Sequence, residues 1–144
     1  DNVKEIIREV KKPILLVNSD FITPKKLLIA YNGSEKSKNF LIERSKNPIF
    51  KNILRDIINV HNDKTLSKKL LDEAKEIYAK QEIYVETNVL SGDVKSEILI
   101  HLGQNDCDIL AMGAFGHSRI KEFIFGSLTS EILDYCKKPI LLFK

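Results

Sequence analysis

No apolar run in this 144-residue chain approaches the roughly 18 residues that a membrane-spanning helix needs, and the N-terminus lacks the apolar core of a signal peptide. Cysteine is scarce. Cys107 and Cys136 lie in apolar segments without the spacing of metal ligands, and they read as two buried thiols in a reducing cytoplasm. A dominant charge is missing too: 23 basic against 20 acidic residues leave +3 and a pI near 8.8. The lysines come as scattered doublets (Lys11-Lys12, Lys25-Lys26, Lys68-Lys69, Lys137-Lys138), not as one stripe, so a nucleic-acid-binding signature is absent. No Gly-Lys-Ser/Thr occurs, which excludes a Walker loop, and the first strand of the main domain does not lead into GxGxxG, the dinucleotide fingerprint. What is present, 43% hydrophobic and 30% charged residues, is a globular balance that excludes disorder, collagen-like repeats and a coiled coil.

The chain repeats its own end near its beginning. Lys11-Lys12-Pro13-Ile14-Leu15-Leu16 recurs letter for letter as Lys137-Lys138-Pro139-Ile140-Leu141-Leu142, and upstream Glu5-Ile6 falls on Glu131-Ile132. Each copy reads as the last turns of a helix, basic at its C-terminal end where the helix dipole favours cations. A proline closes that helix and opens a short apolar strand. The repeat predicts that residues 1–24 are the final helix and strand of a preceding domain plus a linker (Asn18–Pro24), and that residues 25–144 are one complete domain.

Within 25–144 strand and helix alternate. Lys26–Tyr31 is an apolar run of strand length, the pattern of a strand covered on both faces. Asn32-Gly33-Ser34 is a turn, with Ser34 placed to cap a helix from Glu35 that turns Phe40 and Leu41 inward. That helix is expected to falter at Asn47-Pro48 and to resume briefly through Ile53. Asp56–His61 is the second predicted strand. Thr65–Lys80 is an amphipathic helix with Leu66, Leu70, Ala74, Ile77 and Tyr78 on its inner face. Ile83–Leu90 alternates like an edge strand with one wetter side. A helix holding Ile98, Leu99 and Leu102 follows Ser91-Gly92-Asp93, then a buried strand Asp108–Met112, a helix Ser127–Cys136 and a closing strand Ile140–Phe143. Five strands separated by four helices predict an α/β fold with a doubly wound parallel sheet and right-handed crossovers.

Chemistry concentrates after the fourth of these strands. Gly113 and Gly116 follow it directly, and Gly126-Ser127 opens the last helix. Glycines there allow positive φ and close approach of backbone N–H groups. The helix N-terminus adds free N–H groups, a partial positive charge and the hydroxyls of Ser127 and Thr129. Together these describe a cradle for phosphate.

At this point the chain resembles the universal stress proteins, specifically their ATP-binding branch. That branch carries G-x2-G-x9-G-(S/T), matched by Gly113, Gly116, Gly126 and Ser127. Further matches are Leu28–Ser34 to the first strand and turn, Ile57–Val60 to the second, Asp108–Gly113 to the fourth and Lys138–Leu142 to the fifth. The resemblance covers Lys25 to Lys144, and residues 3–17 resemble the end of a preceding domain, as in a tandem protein of the family. It implies the sheet order 3-2-1-4-5, helices on both faces, an extra N-terminal helix and strand, and a ligand crevice at the switch point between strands one and four. Carried over by position, it implies that Ala30, Tyr31 and Asn32 border the base and ribose and that Val60 meets adenine through its backbone. Met112 and Gly113 would flank the ribose, and Gly116, Gly126, Ser127, Leu128 and Thr129 would hold the phosphates. The ligand so implied is ATP, ADP or AMP, with or without Mg²⁺; no catalytic residue and no protein metal ligand is implied.

Two positions depart from the family. Asn32 stands where Asp is usual, which keeps hydrogen-bonding capacity but removes a charge that could assist a metal or hydrolysis. Phe115 stands where a polar or basic residue is common. His61, His101 and His117 are read as carrying no function. The implied role is a cytoplasmic nucleotide-binding regulatory module acting in stress response through nucleotide-linked association. The alternatives are a slow ATP hydrolase and an association module with a vestigial site. Against hydrolysis, Asp106 and Asp108 fall at the opposite end of the sheet and Asp93 beyond the edge strand, so no general base is positioned. The partner expected besides nucleotide is a second copy or a second domain, paired through edge strands Ile14–Val17 and Ile140–Phe143; neither nucleic acid nor membrane is expected.

Overall fold

The fold follows from strands that are apolar on both sides. A computed structural model describes residues 12–17, 23–47, 51–113 and 127–143. Its elements are β1 (Ile14–Leu16), β2 (Lys26–Ala30), α1 (Glu35–Lys46), β3 (Leu54–Val60), α2 (Lys64–Ala79), β4 (Glu86–Leu90), α3 (Val94–Gln104), β5 (Ile109–Gly113), α4 (Ser127–Tyr135) and β6 (Ile140–Phe143). In β2, Leu27 and Ile29 enter one core with Phe40, Leu41, Leu71, Ala74 and Tyr78 of α1 and α2. Leu28 points the other way, into a second core with Ile98, Leu102 and Ile132 of α3 and α4. Ile57 and Ile58 of β3, Ile109 and Leu110 of β5, and Leu141 and Leu142 of β6 divide in the same way. A strand buried on both faces cannot alternate apolar with polar, and this requirement produced the continuous apolar runs.

Across the sheet the order is β1-β6-β5-β2-β3-β4. β2 pairs in parallel with β3 and β5, β3 with β4, and β5 with β6. Those five strands run in the expected order, with β2 and β5 at the switch point. β1 adds a sixth strand, antiparallel to β6, with Ile14 opposite Leu142, Leu15 opposite Leu141 and Leu16 opposite Ile140. The expected helix before β1 and part of the expected linker lie outside the described residues.

Several expectations are corrected. Strand β4 begins at Glu86, not Ile83. The backbone N–H of Ile83 donates to the Tyr78 carbonyl at 3.1 Å, and Glu82 turns the chain at φ 57°, so residues 83–85 still belong to the exit from α2. The helix expected to resume through Ile53 is absent over residues 51–53, which form a turn; residues 48–50 lie outside the described set. On α2 the buried positions are Ser67, Leu71, Ala74 and Tyr78, whereas Leu66 is exposed and Leu70 and Ile77 are only partly covered. The helix is rotated from the apolar reading because the Ser67 hydroxyl is drawn in to donate to Oδ1 of buried Asn59. Cys107 is buried, but Cys136 is only partly so.

Candidate functional site

Where β2, β3 and β5 end together, their C-terminal edges form the floor of a cleft that α3 and α4 flank with their N-terminal turns. The cleft has a volume of about 150 Å³ and is lined by residues 30–32, 58–60, 94, 98, 112–113 and 128–129. Of the residues expected to form the site, it brings together Ala30, Tyr31, Asn32, Val60, Met112, Gly113, Leu128 and Thr129. Ser127 opens α4 as an exposed residue outside the lining. Gly116 and Gly126 lie outside the described residues, as do Phe115 and His117. Ile58, Asn59, Val94 and Ile98 complete the lining without having been foreseen. In the sequence Ile98 is only an apolar residue of the helix after Asp93, and nothing there distinguishes an apolar residue that faces a cleft from one that faces a strand.

Backbone polarity is the main chemical feature of the floor. The Ile58 carbonyl faces β2 and accepts the Tyr31 N–H at 2.9 Å, while the His61 N–H faces β4 and donates to the Leu90 carbonyl at 2.9 Å. Peptide groups alternate in direction along a strand, so the N–H and C=O of Val60 share the direction of Ile58. β2 has ended at Ala30, however, and its pairing with β3 stops at Ile58. Val60 therefore presents an adjacent donor and acceptor to the cleft, between apolar walls from Ala30, Met112, Val94, Ile98 and Leu128.

The turn after β2 is built around Asn32. Its Oδ1 accepts from the Ser34 N–H and from the Ser37 hydroxyl, both at 3.0 Å. Ser34 in turn caps α1 by accepting from the Ser37 N–H at 3.2 Å. Gly33, between them, has φ 76°, the one place in this turn where a side chain would be strained. Because Ser34 N–H can only donate, the oxygen of the Asn32 amide must face it, and the NH₂ group is left without a partner among the described residues.

Tyr31 enters the site through its backbone. Its ring is buried in the core beneath α1 and α2, and burial, with Glu73 and Glu35 nearby, pushes its hydroxyl up to about 12. Gly113, the last residue of β5, does not use the positive φ that glycine allows. A Cβ there would meet the Phe143 ring at an ordinary 3.7 Å. The Gly113 carbonyl instead accepts the Thr129 hydroxyl at 3.3 Å, tying the first turn of α4 to the end of β5.

No charged side chain lines the cleft among the described residues, and none of them gather three or more His, Cys, Asp or Glu side chains for a metal. The donor set suits a ligand with a polar edge and an apolar face, and it supplies no carboxylate for a cation. Asp108 lies at the far end of the sheet, where its carboxylate accepts from the N–H groups of Lys25 at 2.8 Å and Lys26 at 3.0 Å. His61 Nδ1 accepts the Asp63 N–H at 2.9 Å in the turn before α2. His101 is buried, with Nε2 2.7 Å from Oδ2 of Asp56. No helix of the described residues is long and apolar enough to cross a membrane.

A doubly wound sheet with a crevice at its switch point defines a class of open α/β proteins that bind ligands at the carboxyl ends of their strands. The family model described as the universal stress protein family matches residues 56–144. The chain therefore belongs to the universal stress protein family. It is 30% identical over 145 residues to a universal stress protein of Synechocystis sp., Slr1230, covering 99% of this chain and 50% of that protein. It is 25% identical over 85 residues to the stress response protein NhaX of Bacillus subtilis, covering 59% of this chain and 50% of that protein. The chain thus spans about half the length of the curated relatives it matches. A crystal structure of a universal stress protein from Archaeoglobus fulgidus superposes with TM-score 0.78 at 20% identity, covering 98% of this chain and 52% of that one. A universal stress protein crystallised in complex with cAMP superposes with TM-score 0.68 at 17% identity, covering 84% of this chain and 97% of that one.

Proposed function

We propose that the chain is an adenine-nucleotide-binding regulatory module of a cytoplasmic universal stress protein, acting in stress response through nucleotide-linked association. The observation that carries this reading is the cleft itself: a donor and an acceptor of Val60 lie side by side between apolar walls, at the strand ends where such sheets bind ligands. A purine has that pattern, an apolar face with a donor–acceptor edge. The Val60 carbonyl would accept from an exocyclic amino group and the Val60 N–H would donate to the neighbouring ring nitrogen. Asn32 would offer its amide NH₂ toward ribose, and Thr129, with Gly113 and the α4 N-terminus, would meet phosphate. Gly116, Gly126, Ser127 and Leu128 belong to the same proposed phosphate contact. ATP, ADP or AMP is the class of ligand meant. Mg²⁺, where it accompanies ATP, would be held by the phosphates, since the described lining supplies no carboxylate.

Hydrolysis fits the cleft less well, because no Asp, Glu or His lines its described part to take a proton from water. Residues 1–24 are proposed to be the end of a preceding like domain, a reading supported by the repeated hexapeptide and by the Synechocystis relative, of which this chain covers 50%. Association through Ile14–Val17 and Ile140–Phe143 is part of the same proposal.

Mass spectrometry of the denatured, unwashed protein tests the ligand. Adenine nucleotide at close to one per chain is expected. Its absence, together with a flat calorimetric titration by ATP, ADP, AMP and cAMP, would leave the association module as the surviving account.

A further inference from the structure

Base, ribose and phosphate would cross the cleft in the order of the strands beneath them. β3, β2 and β5 are neighbours in that order. Val60 ends β3, Asn32 lies two residues past the end of β2, and Gly113 ends β5 beside Thr129 of α4. With a purine edge on Val60 and phosphate at α4, the sugar falls over the end of β2, against Asn32. This placement rests on the nucleotide reading above.

The acceptors around that position are already engaged. The Tyr31 carbonyl takes the Asn59 amide at 2.8 Å, and the Gly113 carbonyl takes the Thr129 hydroxyl at 3.3 Å. Oδ1 of Asn32 takes the Ser34 N–H and the Ser37 hydroxyl, both at 3.0 Å. What Asn32 has left is its NH₂ group, which donates and cannot accept. No charged side chain lines the described part of the cleft, so no carboxylate stands there to take a sugar hydroxyl or to repel an anion.

A ribose with both hydroxyls free brings two donors to this place. Either hydroxyl can accept from the amide, but its own proton meets no free acceptor. A phosphate ester on that hydroxyl brings acceptors only, and an N–H that donates to a charged oxygen makes the stronger class of hydrogen bond. Dinucleotide sites of open α/β sheets use the same contrast: a carboxylate takes the free ribose hydroxyl, and a donor side chain accommodates the phosphorylated one. Asn32 is exposed, so a phosphate beside it keeps much of its water.

We propose that Asn32 is a specificity-determining residue, and that the cleft prefers adenine nucleotides whose ribose carries a 2′- or 3′-phosphate over those with free ribose hydroxyls. The NH₂ group of Asn32 meets the ester phosphate, while Ser34 and Ser37 hold Oδ1 and so fix which way the amide faces.

Calorimetric titration of the nucleotide-free 144-residue chain with AMP, adenosine 2′,5′-bisphosphate and adenosine 3′,5′-bisphosphate reads the preference, and the tighter bisphosphate identifies the hydroxyl. At least one bisphosphate is expected to bind about fivefold tighter than AMP, the margin of a charge-assisted hydrogen bond over a neutral one. Asn32→Asp keeps the acceptor for Ser34 and puts a negative charge where the NH₂ was. It should reverse the order and make AMP the tighter ligand. ADP against AMP is the control, because ADP adds its phosphate at the other end of the ligand; that ratio should change less. A parent that binds AMP as tightly as both bisphosphates overturns the proposal and leaves the nucleotide reading standing. So does a preference that survives Asn32→Asp, or an ADP-to-AMP ratio that falls as far, since the carboxylate would then act on total charge. The parent titrations support or overturn the preference by themselves if the variant does not fold. Heat from none of these ligands ends both readings.

Discussion

The side-chain amide of Asn59 donates to the backbone carbonyl of Tyr31 across 2.8 Å, fastening β3 to the chain just beyond the end of β2. Its Oδ1 is engaged by Ser67 of α2, and all three residues are buried. Replacing Asn59 by Leu leaves a carbonyl and a hydroxyl buried without partners. At about 1–3 kcal/mol for each such group, the expected loss of stability is about 2–6 kcal/mol, read as a lower urea midpoint at unchanged slope. A loss within about 0.5 kcal/mol would show that this network does not hold the cleft floor.

Asp56 is fully buried and is held by His101 on α3 and by the Asn88 amide, which donates to its other oxygen at 2.9 Å. His101→Ala removes one of two donors from a buried carboxylate. Breaking such a pair typically costs about 3–5 kcal/mol, so the variant is expected to unfold at a markedly lower temperature. Because α3 also supplies Val94 and Ile98 to the cleft, it should weaken nucleotide binding as well. A variant of wild-type stability would mean that water replaces the histidine without loss.

Burial pushes the Cys107 thiol up to about 11 and raises that of Cys136. A raised thiol value means that the folded chain favours the protonated form. The stability gained is complete below the ordinary value of 9.0 and is lost as pH rises through about 11 for Cys107. Tyr31 adds a similar loss between 10.0 and about 12. Urea midpoints are therefore expected to fall above pH 9, where the Cys107 loss begins. At pH 8 a disulfide reagent should modify the partly exposed Cys136 before Cys107, and both slowly until the chain is unfolded. Fast reaction of Cys107 in the folded protein would contradict the burial.

Asn32→Asp restores a carboxylate beside the cleft while keeping the acceptor that Ser34 and Ser37 use. The fold should be unchanged. In the parent, ATP affinity measured with Mg²⁺ and with a chelator is expected to agree within about tenfold, since the described lining offers no charge to a metal. The variant should widen that ratio. Equal ratios in both proteins would remove the side chain of residue 32 from the ligand's surroundings.

Much of this arrangement is visible in the sequence because it follows from burial. Leu27–Ile29 and Ile109–Met112 are apolar without alternation because two helical layers cover them, and that pattern located the buried strands, whereas their order across the sheet came from the resemblance to the universal stress proteins. The lining residues at the strand ends, Ala30, Val60 and Met112, were named through that resemblance, and pattern alone pointed only to Asn32 and the loop at Gly113. Polar burial was not legible: Ser67 and Asn59 satisfy one another, and a pattern that counts only apolar residues placed Leu66 inward instead. Ile83 and Val85 alternate like strand residues because both are apolar, although Val85 reaches the core from the segment before β4 and not from the strand itself. Asp56 and His101, far apart in the chain and joined only in the fold, gave no local signal.

Calorimetric titration of the nucleotide-free chain with ATP, set beside the same titration of Val94→Glu, tests the central claim most directly. Val94 stands at the cleft mouth on the first turn of α3 and is 37% exposed, so a carboxylate there should leave the fold intact while putting a charge into the apolar wall proposed to cover the purine. One ATP per chain is expected to bind the parent, and binding to the variant should weaken at least about tenfold, a difference of about 1.4 kcal/mol. Equal affinity in the two proteins would place the nucleotide elsewhere, and no heat in either would end the nucleotide reading.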